Sequence, residues 1–150
     1  MILGLRCSTK DYAFAVLDGK RTAPKLVAHG FVPFPKSFSR VQSVVWFSQE
    51  LDTLLGKHDC SHIVMKAFEG KARGNPFVER IEHETAAYFS ASKKGIRSVA
   101  RKVKSTIAKD LGLKGRGKYL ATLDTSAIPA FSQLDEKLQD AILAAWSALS

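Results

Sequence analysis

The sequence predicts an α/β domain, a mixed five-stranded sheet with helices packed on it. Three observations predict it. Three strand-like segments follow closely on one another at the amino end; the apolar period then lengthens from two residues to that of a helix; and strand and helix alternate from there on. A chain of 150 residues fits one domain, spanning 1–150, and at that size about 70% of the unfolded surface is buried on folding, enough for a full core.

Residues 1–8 are a short apolar run ending in polar residues, the mark of a buried strand. Residues 12–17, Tyr-Ala-Phe-Ala-Val-Leu, form a second strand, and Asp18-Gly19 signals a turn. Residues 25–33 form a third, punctuated by Pro24, Pro33 and Pro35, which suits a sheet edge or strand ends. Short connections make these three an antiparallel meander. Over 39–55 the apolar residues Val41, Val44, Val45, Phe47, Leu51, Leu54 and Leu55 take helical spacing. Residues 59–68 return to strand around Ile63, Val64 and Met65. Asn75-Pro76 offers an N-cap and a first-turn proline for a helix over 77–91, which Gly95 ends. A basic fifth strand follows at 96–103, then short helices at 105–111 and 118–123. The last helix, 134–149, carries an apolar stripe of Leu134, Leu138, Ile142, Ala145 and Leu149, with Asp135 and Glu136 in its first turn.

Apolar residues make up 45% of the chain and charged residues 25%, the balance of a soluble globular protein. Cys7 and Cys60 form no disulfide framework. The apolar start before Arg6 is too short for a signal segment, and no run approaches membrane-spanning length. A cytoplasmic protein with no membrane partner is expected.

The net charge is +9, and it is localised. Between Lys93 and Lys118 lie ten Lys/Arg and one acid, Asp110, whereas the remainder balances thirteen bases against thirteen acids. A basic segment in an otherwise neutral domain suits an anionic partner, nucleic acid above all. A solvated basic face is the plainer explanation of such a run.

The order of these segments, with their motifs, resembles the ribonuclease H-like superfamily, and within it the RuvC/YqgF-type resolvase branch. Met1-Ile-Leu-Gly-Leu-Arg6-Cys-Ser resembles the branch's opening strand, in which a hydrophobic run with a glycine leads to a catalytic Asp. Ile63-Val-Met-Lys66-Ala-Phe resembles the strand that bears a catalytic Glu. The stretch 101–118 resembles the branch's "VK…GxGxAxK" segment, and Asp140-Ala-Ile-Leu-Ala-Ala resembles the acid-led, alanine-rich last helix. Gly70-Lys-Ala-Arg-Gly-Asn75 resembles the "GKFAGG" stretch of a small bacterial family of this class. The resemblance implies a ribonuclease H-like fold, three antiparallel strands followed by parallel ones, with helices on both faces.

It also implies a site. Nucleases of this fold cluster three or four carboxylates at strand ends to hold two divalent ions, magnesium or manganese. Carried over residue by residue, the first-strand Asp falls on Arg6, the fourth-strand Glu on Lys66 (or Met65 after a slip of one), and the first acid of the last helix on Lys137. Only Asp140 is kept. The expectation is a salt-bridge network of Arg6, Lys66 and Lys137 around Asp140, with no intact catalytic set, no metal and no cofactor. Such a pocket could also receive a phosphate. Relocated acids are the rival, with Glu69, Glu82, Glu84 and Asp18 as candidates. Glu82 and Glu84, two apart on a helix, point about 200° apart and cannot serve one site.

His58-x-Cys60-x-His62 shares one face of an extended chain, and Cys7 would complete a zinc site, but the spacing is not a usual zinc signature. Cys7 beside Arg6 reads as a buried small residue rather than a reactive thiol. The Gly112–Lys118 stretch lacks the spacing of a P-loop and reads as a flexible basic loop. Lys102, Lys104, Lys109, Lys114, Arg116 and Lys118 are the candidate phosphate contacts, with Tyr119 to stack on a base.

Three functions follow: a catalytically silent nucleic-acid-binding module, a protein-interaction or structural domain that pairs as a homodimer through its apolar helices, and a metal-dependent nuclease with relocated acids.

Overall fold

A computed structural model describes residues 1–69 and 78–150. The elements run β1 (Ile2–Cys7), β2 (Asp11–Lys20), β3 (Ala23–Pro33), α1 (Arg40–Lys57), β4 (His62–Lys66), α2 (Val78–Lys93), β5 (Ser98–Lys102), α3 (Lys104–Asp110) and α4 (Glu136–Trp146), with short 3-10 turns at Gly117–Thr122 and Phe131–Gln133. The expected N-cap at Asn75-Pro76 and the Gly70–Asn75 stretch lie outside the described residues. Among the described residues no helix is long and apolar enough to cross a membrane.

The sheet order is β3-β2-β1-β4-β5. β1, β2 and β3 pair antiparallel, while β4 joins β1 and β5 joins β4 in parallel. The three-then-two pattern of the predicted meander and alternation is therefore present. The turn expected at Asp18-Gly19 is displaced. β2 runs on to Lys20, which pairs with Ala23, so the chain reverses at Arg21-Thr22. Gly19 earns its place differently: it lies within the hairpin at a φ of +88°, and a Cβ there would meet the Ala23 carbonyl oxygen at 2.6 Å.

Side chains alternate along β1. Leu3, Leu5 and Cys7 join Tyr12, Val16, Ile63 and Met65 in a core under α1 and α2. Ile2 faces the other way and joins Ala13, Ala15, Leu17 and Val64 under α4. Helices thus cover both faces. Gly4 lets α4 approach closely, because a Cβ at that position would lie 2.0 Å from the Ala141 carbonyl oxygen and 2.9 Å from the Ala145 Cβ. The alanines at 141, 144 and 145 thin the facing side of the helix, and all three are buried.

The helix ends are defined by local chemistry. Ser39 caps α1 in a reciprocal box with Gln42. Asp135, expected inside the last helix, is instead its N-cap and accepts from the Lys137 N–H at 2.8 Å. The far end of α4 is tied to the β2–β3 turn. Trp146 Nε1 donates to the Arg21 carbonyl at 2.8 Å, and the Arg21 N–H donates to the Ser150 carbonyl at 2.8 Å.

Candidate site at the carboxyl ends of the parallel strands

Parallel pairing brings the carboxyl ends of β1, β4 and β5 to one edge, and β4 and β5 end in register at Lys66 and Lys102. The alternation that sends Leu5 and Cys7 to one face sends Arg6 to the other, toward α4. There Arg6 Nε donates to Asp140 Oδ2 at 3.2 Å, and Nη1 donates to the Cys7 carbonyl. Lys104, at the start of α3, stands on the other side of the carboxylate, its Nζ 3.9 Å from Asp140 Oδ1 and 3.7 Å from Glu136 Oε1. A largely buried acid is thereby flanked by two cations.

Lys66 is only 3% exposed. Its ammonium donates to Glu69 Oε1 at 2.9 Å and to the Ala67 carbonyl. Burial pushes its pKa below the ordinary lysine value, and the hydrogen bond to Glu69 and the charge of Asp140 only partly offset that. Partial burial works against the Glu69 carboxylate too. Its bonds from Lys66 and from the Lys104 N–H, the latter at 2.8 Å, outweigh that effect and hold its pKa below the usual range.

The expected arrangement is thus met in part. Arg6 binds Asp140 directly. Lys66 is close enough to feel the charges of both Asp140 and Arg6, yet its hydrogen bonds go to Glu69 and Ala67. Lys137 does not join: its Nζ donates to both oxygens of Asp11, at 2.6 and 2.8 Å, beside the Phe31 ring. Lys137 and Asp140 are one turn apart, but the flexible stem reaches a carboxylate at the start of β2 that can be gripped by two hydrogen bonds. Asp140 already has Arg6 and Lys104. The place expected for Lys137 is filled by Lys104, which the sequence offered only as a phosphate contact.

The rival acids do not gather. Glu69 is held by Lys66, Glu82 pairs with Arg40 on the surface, and Asp18 is exposed at the opposite end of β2 from Asp11. Glu84 is buried between Arg80 Nε at 3.0 Å and Arg101 Nε at 2.7 Å, and Arg80 also donates to the Lys66 carbonyl. This network was missed, although the Arg80–Glu84 spacing of four residues was a usable signal. Cys7 is buried and its thiol is pushed up to about 12, chiefly by burial, so it is no nucleophile. Cys60 lies at the amino end of β4, far along the sheet from Cys7 at the carboxyl end of β1, and the His62 Nδ1 meets its neighbour Ser61 Oγ at 2.8 Å.

The basic segment divides into two groups. Lys93 pairs with Asp52, and Arg101 with Glu84. Lys102 turns inward: its ammonium lies 2.8 Å from Asp110 Oδ2 and donates to Ser147 Oγ at 3.0 Å. Lys102 and Lys104 are therefore engaged within the fold rather than free for phosphate, because both sit where β5 meets α3 and face the end or the start of α4. Lys109, Lys114, Arg116 and Lys118 are exposed. None of the four is within ion-pair distance of a carboxylate among the described residues. Lys114 and Lys118 lie 5.5 and 5.2 Å from the centroid of the Tyr119 ring.

No protein-family model matches the chain, and no curated protein matches it in sequence. Solved structures do match. RuvC of Thermus thermophilus in complex with a Holliday junction substrate superposes with a TM-score of 0.79 at 14% identity, covering 97% of this chain and 90% of that one. A second structure of T. thermophilus RuvC gives 0.77 at 11% identity, with 97% and 91% covered. The chain has the fold of RuvC. The yeast mitochondrial Holliday junction resolvase gives 0.64 at 12% identity, with 97% and 76% covered. The ribonuclease H-like architecture read from the ordered motifs is borne out.

The RuvC-like fold brings with it the question of a divalent metal pair. Hard cations need several oxygen ligands free to face one point. Here Asp140 is taken by Arg6 and Lys104, and Glu69 by Lys66 and a backbone N–H. Among the described residues no group of three or more His, Cys, Asp or Glu side chains could hold a metal ion. The donor set does not fit the metal pair.

Proposed function

We propose that the chain is a RuvC-like domain that binds nucleic acid, in the cytoplasm, without metal-dependent cleavage. One observation carries the binding: Lys109, Lys114, Arg116 and Lys118 are exposed, without carboxylate partners among the described residues, and two of them flank Tyr119. Cations already paired within a fold gain little from a phosphate; cations left in water release counterions on binding one. The Tyr119 ring adds a stacking surface close to two ammonium groups. Support for branched DNA as the ligand comes from the fold, since the RuvC of similar structure was captured with a Holliday junction.

The charge pattern supports the absence of cleavage. The carboxylates nearest the strand ends are paired with Arg6, Lys66 and Lys104, which disfavours magnesium or manganese there. Fluorescence anisotropy with junction, duplex and single-stranded DNA and RNA, alongside incubation with each metal, tests both halves. Binding that weakens with salt, with substrate left intact, is the expected result. No binding at low salt would sink the first half, and metal-stimulated cleavage abolished by Asp140→Ala would sink the second.

A further inference from the structure

The sheet has two edges, and they differ. β3, at one end of the order, is ill suited to further pairing: it contains Pro24 and Pro33, and its register with β2 shifts at Val16/Leu17. β5, at the other end, pairs with β4 without a register shift and has neither proline nor glycine. Its outer side has no strand beside it among the described residues. The Lys102 carbonyl accepts from the N–H of Ala67, just after β4. Backbone direction alternates along a strand, so Val99 and Arg101 turn their N–H and C=O groups away from β4.

Beside that edge lies a groove of about 460 Å³, between β5 and the flank of α2. Its floor is apolar. Tyr88 is 44% exposed there, and Ile96 and Val99 lie half-buried against the core under α1 and α2. Arg97 lines the same groove, exposed, with no carboxylate within ion-pair distance among the described residues. Arg101 stands on the α2 side too, since it reaches Glu84 at 2.7 Å, and it shares that one carboxylate with Arg80. Arg97, Val99 and Arg101 thus present base, apolar, base at the two-residue spacing of one strand face. From Lys93 to Lys104 the chain carries six Lys/Arg and no acid.

We propose that this edge takes an acidic peptide of a partner protein as an added strand, in the pattern acid-x-apolar-x-acid. The outward N–H and C=O groups of Val99 and Arg101 hold its backbone, the groove holds its central apolar side chain, and Arg97 and Arg101 face its two acids. These conditions select the occupant. A second copy of β5 sets arginine against arginine. A nucleic acid meets the cations but leaves the apolar floor and the outward backbone groups unused. The residues that carry the nucleic-acid reading, 109–118, lie beyond α3, so the two proposals stand independently.

Fluorescence anisotropy of the full chain with a labelled, end-capped peptide, Thr-Asp-Thr-Ile-Thr-Asp-Thr, tests it. Saturable binding at micromolar concentration is expected, and a peptide of the same composition with its acids adjacent should bind at least ~tenfold more weakly. Two further peptides, N-methylated at complementary sets of alternate amides, separate edge-facing from solvent-facing N–H groups; one should lose binding and the other keep it. Arg97→Glu, on an exposed side chain, should weaken the parent peptide at least ~tenfold, with an unchanged circular dichroism spectrum and DNA affinity nearly that of wild type. Replacing one peptide Asp by Lys should restore binding to that variant. No binding of the parent peptide at high micromolar concentration would overturn the proposal, as would equal binding of the two methylated peptides. Loss of DNA affinity in Arg97→Glu as large as the loss of peptide affinity would assign the edge to nucleic acid and overturn it too.

Discussion

Arg6 and Asp140, 134 residues apart in sequence, meet at 3.2 Å where the end of β1 faces α4. The arginine is on a strand whose neighbours on either side point into the opposite core, so it cannot turn away without leaving the sheet register. Removing it leaves the largely buried Asp140 with Lys104 Nζ, 3.9 Å away, as its remaining ion-pair partner among the described residues. Arg6→Ala is expected to cost about 1–3 kcal/mol in a urea titration, and the double variant with Asp140→Ala less than the sum of the two singles. Additive effects in that cycle would show that the pair does not act as a unit.

Gly4→Ala should be severe. Its Cβ would fall 2.0 Å from the Ala141 carbonyl oxygen, a backbone atom that cannot move aside alone. The helix must lift, carrying Asp140 with it. A loss of about 3 kcal/mol or more is expected by thermal unfolding; a melting temperature within a degree of wild type would contradict the close packing of α4 on β1.

His83 sets an acid limit on stability. Its ring stacks on Phe34 at 4.4 Å and meets Phe47 edge-on at 5.4 Å, and among the described residues neither ring nitrogen has a hydrogen-bond partner. Burial lowers its pKa below 6.5, against the opposing pull of the Glu79 carbonyl and the charges of Glu82 and Glu79. The neutral form is the one that fits. Its contribution is complete above the unfolded pKa of about 6.5 and is lost as pH falls, since the unfolded chain then binds a proton that the folded one resists. His83→Phe should flatten the fall in urea midpoint between pH 7 and pH 5. An equally steep fall in the variant would assign the acid limit elsewhere.

Lys109, Lys114, Arg116 and Lys118 should separate from the engaged cations by salt dependence. With four phosphate contacts to duplex DNA, log K is expected to fall against log salt with a slope of about −3 to −4. Lys114→Ala and Lys118→Ala should each reduce that slope by about 1. Lys102→Ala should leave it unchanged and instead lower stability, since its ammonium bonds Ser147 and Asp110. A lower slope in Lys102→Ala would reverse the division of the basic segment.

The fold was legible because period and order are local. Ile2 to Cys7, His62 to Lys66 and the stripe of α4 each announce their geometry within a few residues. The hairpin turn lies three residues beyond its expected place, because Asp18-Gly19 is a sound turn signal that the pairing of β2 with β3 overrides. The site was legible by half. Arg6 and Asp140 follow from strand register and helix position. Lys104 and Asp11 did not, because the reach of a lysine is decided by which carboxylate the folded chain brings near, and spacing along one helix is silent about a partner on a strand.

α4 is fastened at both ends to the same strand, through Lys137 to Asp11 at one end of β2 and through Trp146 to the carbonyl of Arg21 just past the other. Two ties to one strand oppose both sliding and swinging of the helix. Asp140 rides between the pins, so the charge pattern it shares with Arg6 and Lys104 is set before any ligand arrives. A ligand that met that edge of the sheet would find the charges of Arg6, Lys104 and Asp140 already in place, like a die already cut.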